Sequence, residues 1–174
     1  MTLFSKKHIT GQKKVHEQCP AYGSASLVFA PMVSELINAN HIKTLLDYGS
    51  GLGQVPGNLE LNDKLDVQLY DPAIENFAEA PKPAEMVICL DVLDVVEPKS
   101  VEAVLDHLQV LTRKMAFFSI NTRAPEGSND DERVYQPLEW WLQKLMQRFE
   151  LHYLSRINNG FVVVLKALPG TSIQ

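Results

Sequence analysis

Leu45-Leu46-Asp47-Tyr48-Gly49-Ser50-Gly51-Leu52-Gly53 is the stretch whose reading decides the fold. Its first half, extended back through Lys43-Thr44, is a short apolar run, and it stops abruptly in glycines set two apart. A buried strand running into a tight turn reads this way, because glycine has no Cβ, reaches positive φ without strain and exposes its backbone to a neighbour. Further along, Leu65-Asp66-Val67-Gln68-Leu69-Tyr70 alternates as a second strand and is stopped by Asp71-Pro72. Met86-Val87-Ile88-Cys89-Leu90 and Met115-Ala116-Phe117-Phe118-Ser119-Ile120 read as two more buried strands.

Helical signals fall between and around these runs. Ala25, Leu27, Val28, Met32, Val33, Leu36 and Ile37 predict a helix over residues 24–40, with Pro31 near its start or kinking it. A short, poorly patterned helix containing Pro56 and Gly57 follows the glycine turn. Pro98 is suited to open a helix through residue 114, whose apolar face is Val101, Val104, Leu105, Leu108 and Leu111. Residues 121–136 are polar and read as a long loop, 137–149 as a helix, and 151–157 with 161–168 as a hairpin turning at Asn158-Asn159-Gly160. The order predicts an α/β fold: a Rossmann-like, mostly parallel sheet with helices on both faces and a C-terminal antiparallel hairpin. At 174 residues one domain is expected, with 1–23 as an N-terminal lid or extension, 24–168 as the core and 169–174 as a tail.

Composition narrows the partners. The 16 Lys+Arg against 21 Asp+Glu leave a formal charge of −5, so the chain lacks the positive field that draws proteins to phosphate backbones, and nucleic acid is a disfavoured partner. Lys6, Lys7, Lys13 and Lys14 are a local exception, read as solvated surface. No apolar stretch is long enough to cross a bilayer and the first 20 residues lack a secretory core, which predicts a cytoplasmic protein away from the membrane. Of the two cysteines, Cys89 lies within an apolar run and is expected as a buried thiol; no Cys/His cluster has the spacing of a metal site.

The chemistry follows from position. In an open parallel sheet ligands bind at the carboxyl ends of the strands, where Gly49, Gly51 and Gly53 stand. Asp71 ends the next strand about 20 residues on, placed to accept hydrogen bonds from both hydroxyls of a ribose. A dinucleotide fingerprint would need a glycine where Gln54 stands, which makes nicotinamide or flavin chemistry the lesser reading, and no Gly-Lys-Ser/Thr follows the turn as a P-loop requires.

With Leu69-Tyr70-Asp71-Pro72-Ala73 and the run Ala84-Glu85-Met86-Val87-Ile88-Cys89-Leu90-Asp91-Val92-Leu93-Asp94-Val95-Val96-Glu97-Pro98, the glycine stretch resembles the first, second and fourth-strand motifs of class I S-adenosylmethionine-dependent methyltransferases. Phe117-Phe118 and Glu139-Trp140-Trp141 are similar to small methyltransferase-domain proteins of bacteria and phages, and the likeness runs from about Tyr22 to Leu168. It implies S-adenosylmethionine as cofactor. The turn of Gly49, Ser50, Gly51 and Gly53 would face its methionine moiety, Asp47 its ammonium, Asp71 with Pro72 its ribose, with Asp91 beside it and Tyr22 closing over it. Only 14 residues separate Asp71 from Met86, where the family has a helix and a third strand. That strand is expected to be missing, and Ile74 and Phe77 become candidates for the adenine pocket. The 14 residues reach more than about 40 Å when extended, enough to cross over the first strand.

The acceptor is not legible. A methyl group on a sulfonium is already activated, so alignment is the main task and no catalytic residue is assigned; Asp94, His107 and Asn121 are polar groups near strand ends, and His107 reads as a packing or surface histidine. Leu90-Asp91-Val92-Leu93 is not the Asn/Asp-Pro-Pro-aromatic tetrad of enzymes that methylate base amino groups, so DNA adenine methylation is not expected. The expectation is a methyltransferase with a small-molecule acceptor; the alternative is a catalytically silent S-adenosylmethionine-binding or interaction module. Trp140 and Trp141, about 100° apart on a helix, are expected to diverge, one packing inward while the other meets a neighbouring element or a partner.

Overall fold

The computed structural model describes residues 3–19, 24–124 and 133–169. Its frame is a six-stranded sheet of β1 (Thr44–Tyr48), β2 (Asp66–Tyr70), β3 (Ala84–Leu90), β4 (Thr112–Asn121), β5 (Phe149–Ile157) and β6 (Gly160–Ala167), in the order β2-β1-β3-β4-β6-β5. The first four are parallel, and β6 and β5 are antiparallel additions made by the expected hairpin. From β2 the chain crosses β1 to reach β3 with only a short 3-10 turn, Glu75–Phe77, between them; the described chain has no strand outside β2.

The unbroken apolar runs are explained by burial on both faces. Met86 and Ile88 of β3, Phe117 of β4 and Val162 and Val164 of β6 pack with Val33 and Ile37 of α2 (Ala30–Ala39). Their sequence neighbours Val87, Cys89, Phe118, Val163 and Leu165 point the other way, onto α3 (Val101–Leu111) and α4 (Leu138–Leu145). Val104, Leu105 and Leu108 carry α3 into that layer, and Leu138, Trp141 and Leu145 carry α4. Trp141 is fully buried, while Trp140 meets it edge to face and lies under the Lys144 ammonium, 4.4 Å from its ring centre, so the pair divides between core and surface as its helical spacing predicts. No helix of the described residues is long and apolar enough to cross a membrane.

Several boundaries depart from the sequence reading. Residues 24–29 form a 3-10 turn and only Ala30–Ala39 is α-helical, with Pro31 in its first turn, where its missing N–H leaves nothing unpaired. After the glycine turn the expected helix shrinks to the 3-10 turn Pro56–Asn58, since Pro56 cannot donate and Gly57 is a weak helix former. α3 stops at Leu111, where Thr112 Oγ1 donates to Leu108 O at 2.7 Å and Thr112 itself joins the ladder opposite Ala84. α4 stops at Leu145, and Phe149 is the first residue of β5.

The largest departure lies at the amino terminus, where Lys6–Gln18 is a helix, α1, that the pattern of residues 1–23 did not signal. None of its residues is fully buried. Its hold on the protein lies at its start: Ser5 accepts the His8 N–H as N-cap, while the Ser5 N–H and Oγ–H donate to Glu97 at 2.9 and 2.8 Å, and buried Phe4 stacks on His8.

Because Trp141 fills the centre of the α3/α4 layer, Trp141→Ala is expected to lower the unfolding free energy by about 3–5 kcal/mol in denaturant titration.

Candidate functional site

The carboxyl ends of β1, β2 and β3 frame a cavity of about 520 Å³, within the range of ligand pockets. Its floor is the glycine turn. Gly49 N–H and Ser50 N–H both donate to Tyr70 O, at 2.7 and 3.0 Å, so the turn grows directly out of the β1–β2 ladder. Gly49 and Gly53 hold φ of 76° and 69°, and a Cβ on either would stand 2.4 Å from Val92 or 2.5 Å from Leu69. Glycine is required there by backbone and by space.

Asp71, at the end of β2, braces the turn from the side. Its Oδ2 accepts the Gly51 N–H at 2.9 Å and its Oδ1 the Ala73 N–H at 2.9 Å, so the strand-end role and a place in the cavity wall coincide in one buried carboxylate. Pro72 and Ala73 continue that wall; Ile74 and Phe77, half-buried, stand outside its lining, and the Phe77 carbonyl accepts the Asp71 N–H.

Asp47 lies deeper. It is 3% exposed, and Oδ2 has no hydrogen-bond partner among the described residues. Burial, and secondarily the charge of Asp71, push its carboxyl up to about 7. Ser50 Oγ and Gln54 Oε1 are also buried without a partner among the described residues, and all three side chains line the same cavity. Buried polar atoms are normally satisfied, so these three atoms around one space leave hydrogen-bonding capacity open to a polar ligand or to water.

Across the cavity Asp91 holds a left-handed φ of 57°, tolerated by aspartate, and its carboxylate accepts from Ser119 Oγ at 2.8 Å and Ser26 Oγ at 3.3 Å. Asn121 reaches from the end of β4 to Asp91 and Asp94, at 3.5 and 3.4 Å. Asp94 is fully buried and paired with Arg133 at 3.4 Å; burial first, and then the Asp91 charge, raise its carboxyl, while Asn121 and Arg133 oppose the shift. It does not line the cavity. His107 stands apart from it, hydrogen-bonded to Tyr48 Oη at 3.0 Å with its protonation disfavoured by burial, and serves the packing role read from the sequence.

The structure thus brings Asp47, Gly49, Ser50, Gly51, Asp71, Pro72 and Asp91 to one cavity, with Gly53 shaping its turn; Tyr22 lies outside the described residues. The amino-terminal segment expected as a lid or extension borders the cavity, through residues that its sequence did not single out. Ile9, Gln12, His16 and Cys19 of α1 and its C-cap line the cavity, and His16 Nε2 stands 3.8 Å from Asp71 Oδ2. Their spacing of three and four residues follows one helical face, but with so little apolar content the period does not register.

No family model matches the sequence, and a search of curated proteins finds no match. Solved structures do match in shape. An O-methyltransferase family protein from Burkholderia thailandensis superposes with a TM-score of 0.68 at 15% identity, over 98% of this chain and 64% of that one. A 1,6-didemethyltoxoflavin-N1-methyltransferase from the same organism, with its substrate and S-adenosylhomocysteine bound, gives 0.62 at 15% identity over 94% and 91%. The 16S rRNA methylase ArmA gives 0.55 at 18% over 92% and 91%. This chain spans less than two thirds of the length of the O-methyltransferase family protein. The likeness shows the fold: the chain is built as class I S-adenosylmethionine-dependent methyltransferases are built.

A carboxyl raised from 3.8 to about 7 leaves the folded chain holding a proton that the unfolded chain has released, so stability falls as pH rises through that window. Asp47→Asn is expected to raise the melting temperature of the ligand-free protein, by roughly 3–8 °C above pH 7, with the gain shrinking to nothing as pH falls to 4. Calorimetric melts across that range check it.

Proposed function

We propose that this chain, with the fold of class I methyltransferases, binds S-adenosylmethionine in the cavity at the ends of β1, β2 and β3 and transfers its methyl group to a small-molecule acceptor. The observation that carries the reading is Asp47: a buried carboxylate with an oxygen unpartnered among the described residues, in a cavity that Ser50 Oγ and Gln54 Oε1 also face without a partner among them. A cationic ligand group supplies what that oxygen lacks, and the ammonium of a methionine moiety is such a group. Asp71 uses one lone pair of each oxygen on Gly51 and Ala73 and retains acceptor capacity for ribose hydroxyls. The glycines keep Cβ atoms out of the approach to the turn, and Asp91, fixed by Ser119 and Ser26, adds negative charge on the facing wall.

The bound cofactor would supply a methyl group already activated on a sulfonium, so the protein's own contribution is to align the acceptor and exclude water. α1 serves the second task, since Ile9, Gln12 and His16 cover the cavity from the amino-terminal side. A second reading, a module that binds the cofactor without turnover, draws support from the shortened connection between β2 and β3, and it separates from the first by whether any acceptor yields S-adenosylhomocysteine.

Calorimetric titration is expected to give micromolar binding of S-adenosylmethionine and S-adenosylhomocysteine and none of NAD, with Asp71→Ala weaker by at least roughly tenfold. An ammonium beside Asp47 favours its ionised form, so binding below pH 7 releases a proton; affinity is expected to climb with pH and level off above about 7. Binding independent of pH in that window, or unaffected by Asp71→Ala, would sink the assignment.

A further inference from the structure

Beyond Asp71 the short connection from β2 to β3 gives the cavity only Pro72 and Ala73. The remaining wall on that side comes from elsewhere in the chain. α1 runs from the β3–α3 segment, where Ser5 is bonded to Glu97, to the end of β2, where His16 Nε2 stands 3.8 Å from Asp71 Oδ2. His8, Ile9, Gln12 and His16 form one half-buried face at helical spacing and line the cavity between those two points, while Lys6, Lys7, Lys13 and Lys14 stay exposed. Also in the lining is the turn that leaves β3, closed by the Val95 N–H on Val92 O at 3.0 Å. It buries Leu93 and Val96 in the core and leaves Val92 and Val95 half-buried at the cavity. Val92 stands against the glycine turn, 2.4 Å from where a Gly49 Cβ would be. Counted from His16, Gln12 lies about 6 Å and Ile9 about 10 Å along the helix axis, so the lining turns from carboxylates to aliphatic side chains within two turns of α1.

We propose that α1 holds the adenine of the cofactor, with the base lying between Ile9 and the pair Val92 and Val95 and with the Gln12 amide reading its 6-amino edge. The inference rests on the function proposed above and deepens it, by assigning the base to the amino-terminal helix and not to the segment between β2 and β3. A purine has two apolar faces and a polar rim on which a 6-amino donor adjoins a ring-nitrogen acceptor. Aliphatic walls suit the faces, and a glutamine amide meets the rim with its own acceptor and donor. The order of groups along the cavity is that of the ligand: the methionine end runs to Asp47 beneath the glycine turn, the ribose sits at Asp71, and the base continues under Gln12 and Ile9. A helix with no fully buried residue thereby gains a second set of contacts when the cofactor is bound.

The test is calorimetric titration of the full chain with S-adenosylhomocysteine and with its analogue lacking only the 6-amino group. The wild type is expected to prefer the adenine form by about two- to tenfold, the worth of one hydrogen bond, and Gln12→Leu to lose that preference. A residue that merely supported the helix would change both affinities alike. Ile9→Ala is expected to weaken both ligands by about fivefold. In methyl-labelled protein, nuclear Overhauser contacts from the adenine ring protons are expected at the methyls of Ile9 and Val95. Contacts to Ile74 in place of Ile9, or an adenine preference unchanged in Gln12→Leu, would overturn the proposal. S-adenosylhomocysteine that fails to bind the wild type overturns the cofactor reading and this one with it, whereas binding that Asp71→Ala weakens and Gln12→Leu and Ile9→Ala leave intact overturns this one alone.

Discussion

The bond from Gly51 N–H to the Asp71 carboxylate joins the end of one strand to the turn that leaves another, and the functional end of the molecule depends on it. Three consecutive odd-numbered glycines in left-handed conformations have no side chains to anchor them. They are fixed by what surrounds them: the Tyr70 carbonyl, which takes the N–H groups of Gly49 and Ser50, Asp71 alongside, and His16 above, its ring 3.1 Å from where a Gly51 Cβ would stand. The turn in turn leaves Asp47 buried beneath it with an oxygen unanswered, which is the electrostatic basis of the proposed site. Placing that carboxylate there raises its proton affinity into the neutral range and costs stability, a penalty that a cationic ligand removes.

The sheet was legible because both of its faces are covered. Met86 to Leu90 and Met115 to Ile120 are apolar without interruption, and the glycines and Asp71 mark where β1 and β2 end, so the strands and the position of the site follow from local chemistry. Elements held by few apolar contacts escaped. α1 has Gly11 in its middle and no fully buried residue, and among its fastenings is the bond from Ser5 to Glu97, 92 residues away, which no local pattern encodes. For the same reason Gln12 and His16 could not be assigned to the cavity from sequence, while Asp47, Asp71 and Asp91 could. Ile74 and Phe77 were legible only as the place where the short connection turns, and the turn is held by backbone bonds to Asp71 and Ile74.

Arg133 anchors the wall of the cavity. Its guanidinium closes on Asp94, which Asn121 shares with Asp91, so one chain of polar contacts runs from Arg133 to the acidic wall. Val134 N–H donates to the Asp94 carbonyl at 2.7 Å, which fixes the returning chain at the same place.

Among the described residues no strand lies beyond β2, and a sheet edge left open in this way is a template on which another chain can add itself. This edge is poorly suited to that. β2 is only five residues long, begins at the exposed Asp66, is followed at once by Asp71-Pro72, and has Gln68 occupied by the Lys82 N–H at 3.0 Å. A strand added alongside would find a short ladder with a charge at one end and a proline at the other. The short connection from β2 to β3 therefore also guards that edge, and lengthening it into a smooth apolar run would be the simplest way to turn this protein toward self-association.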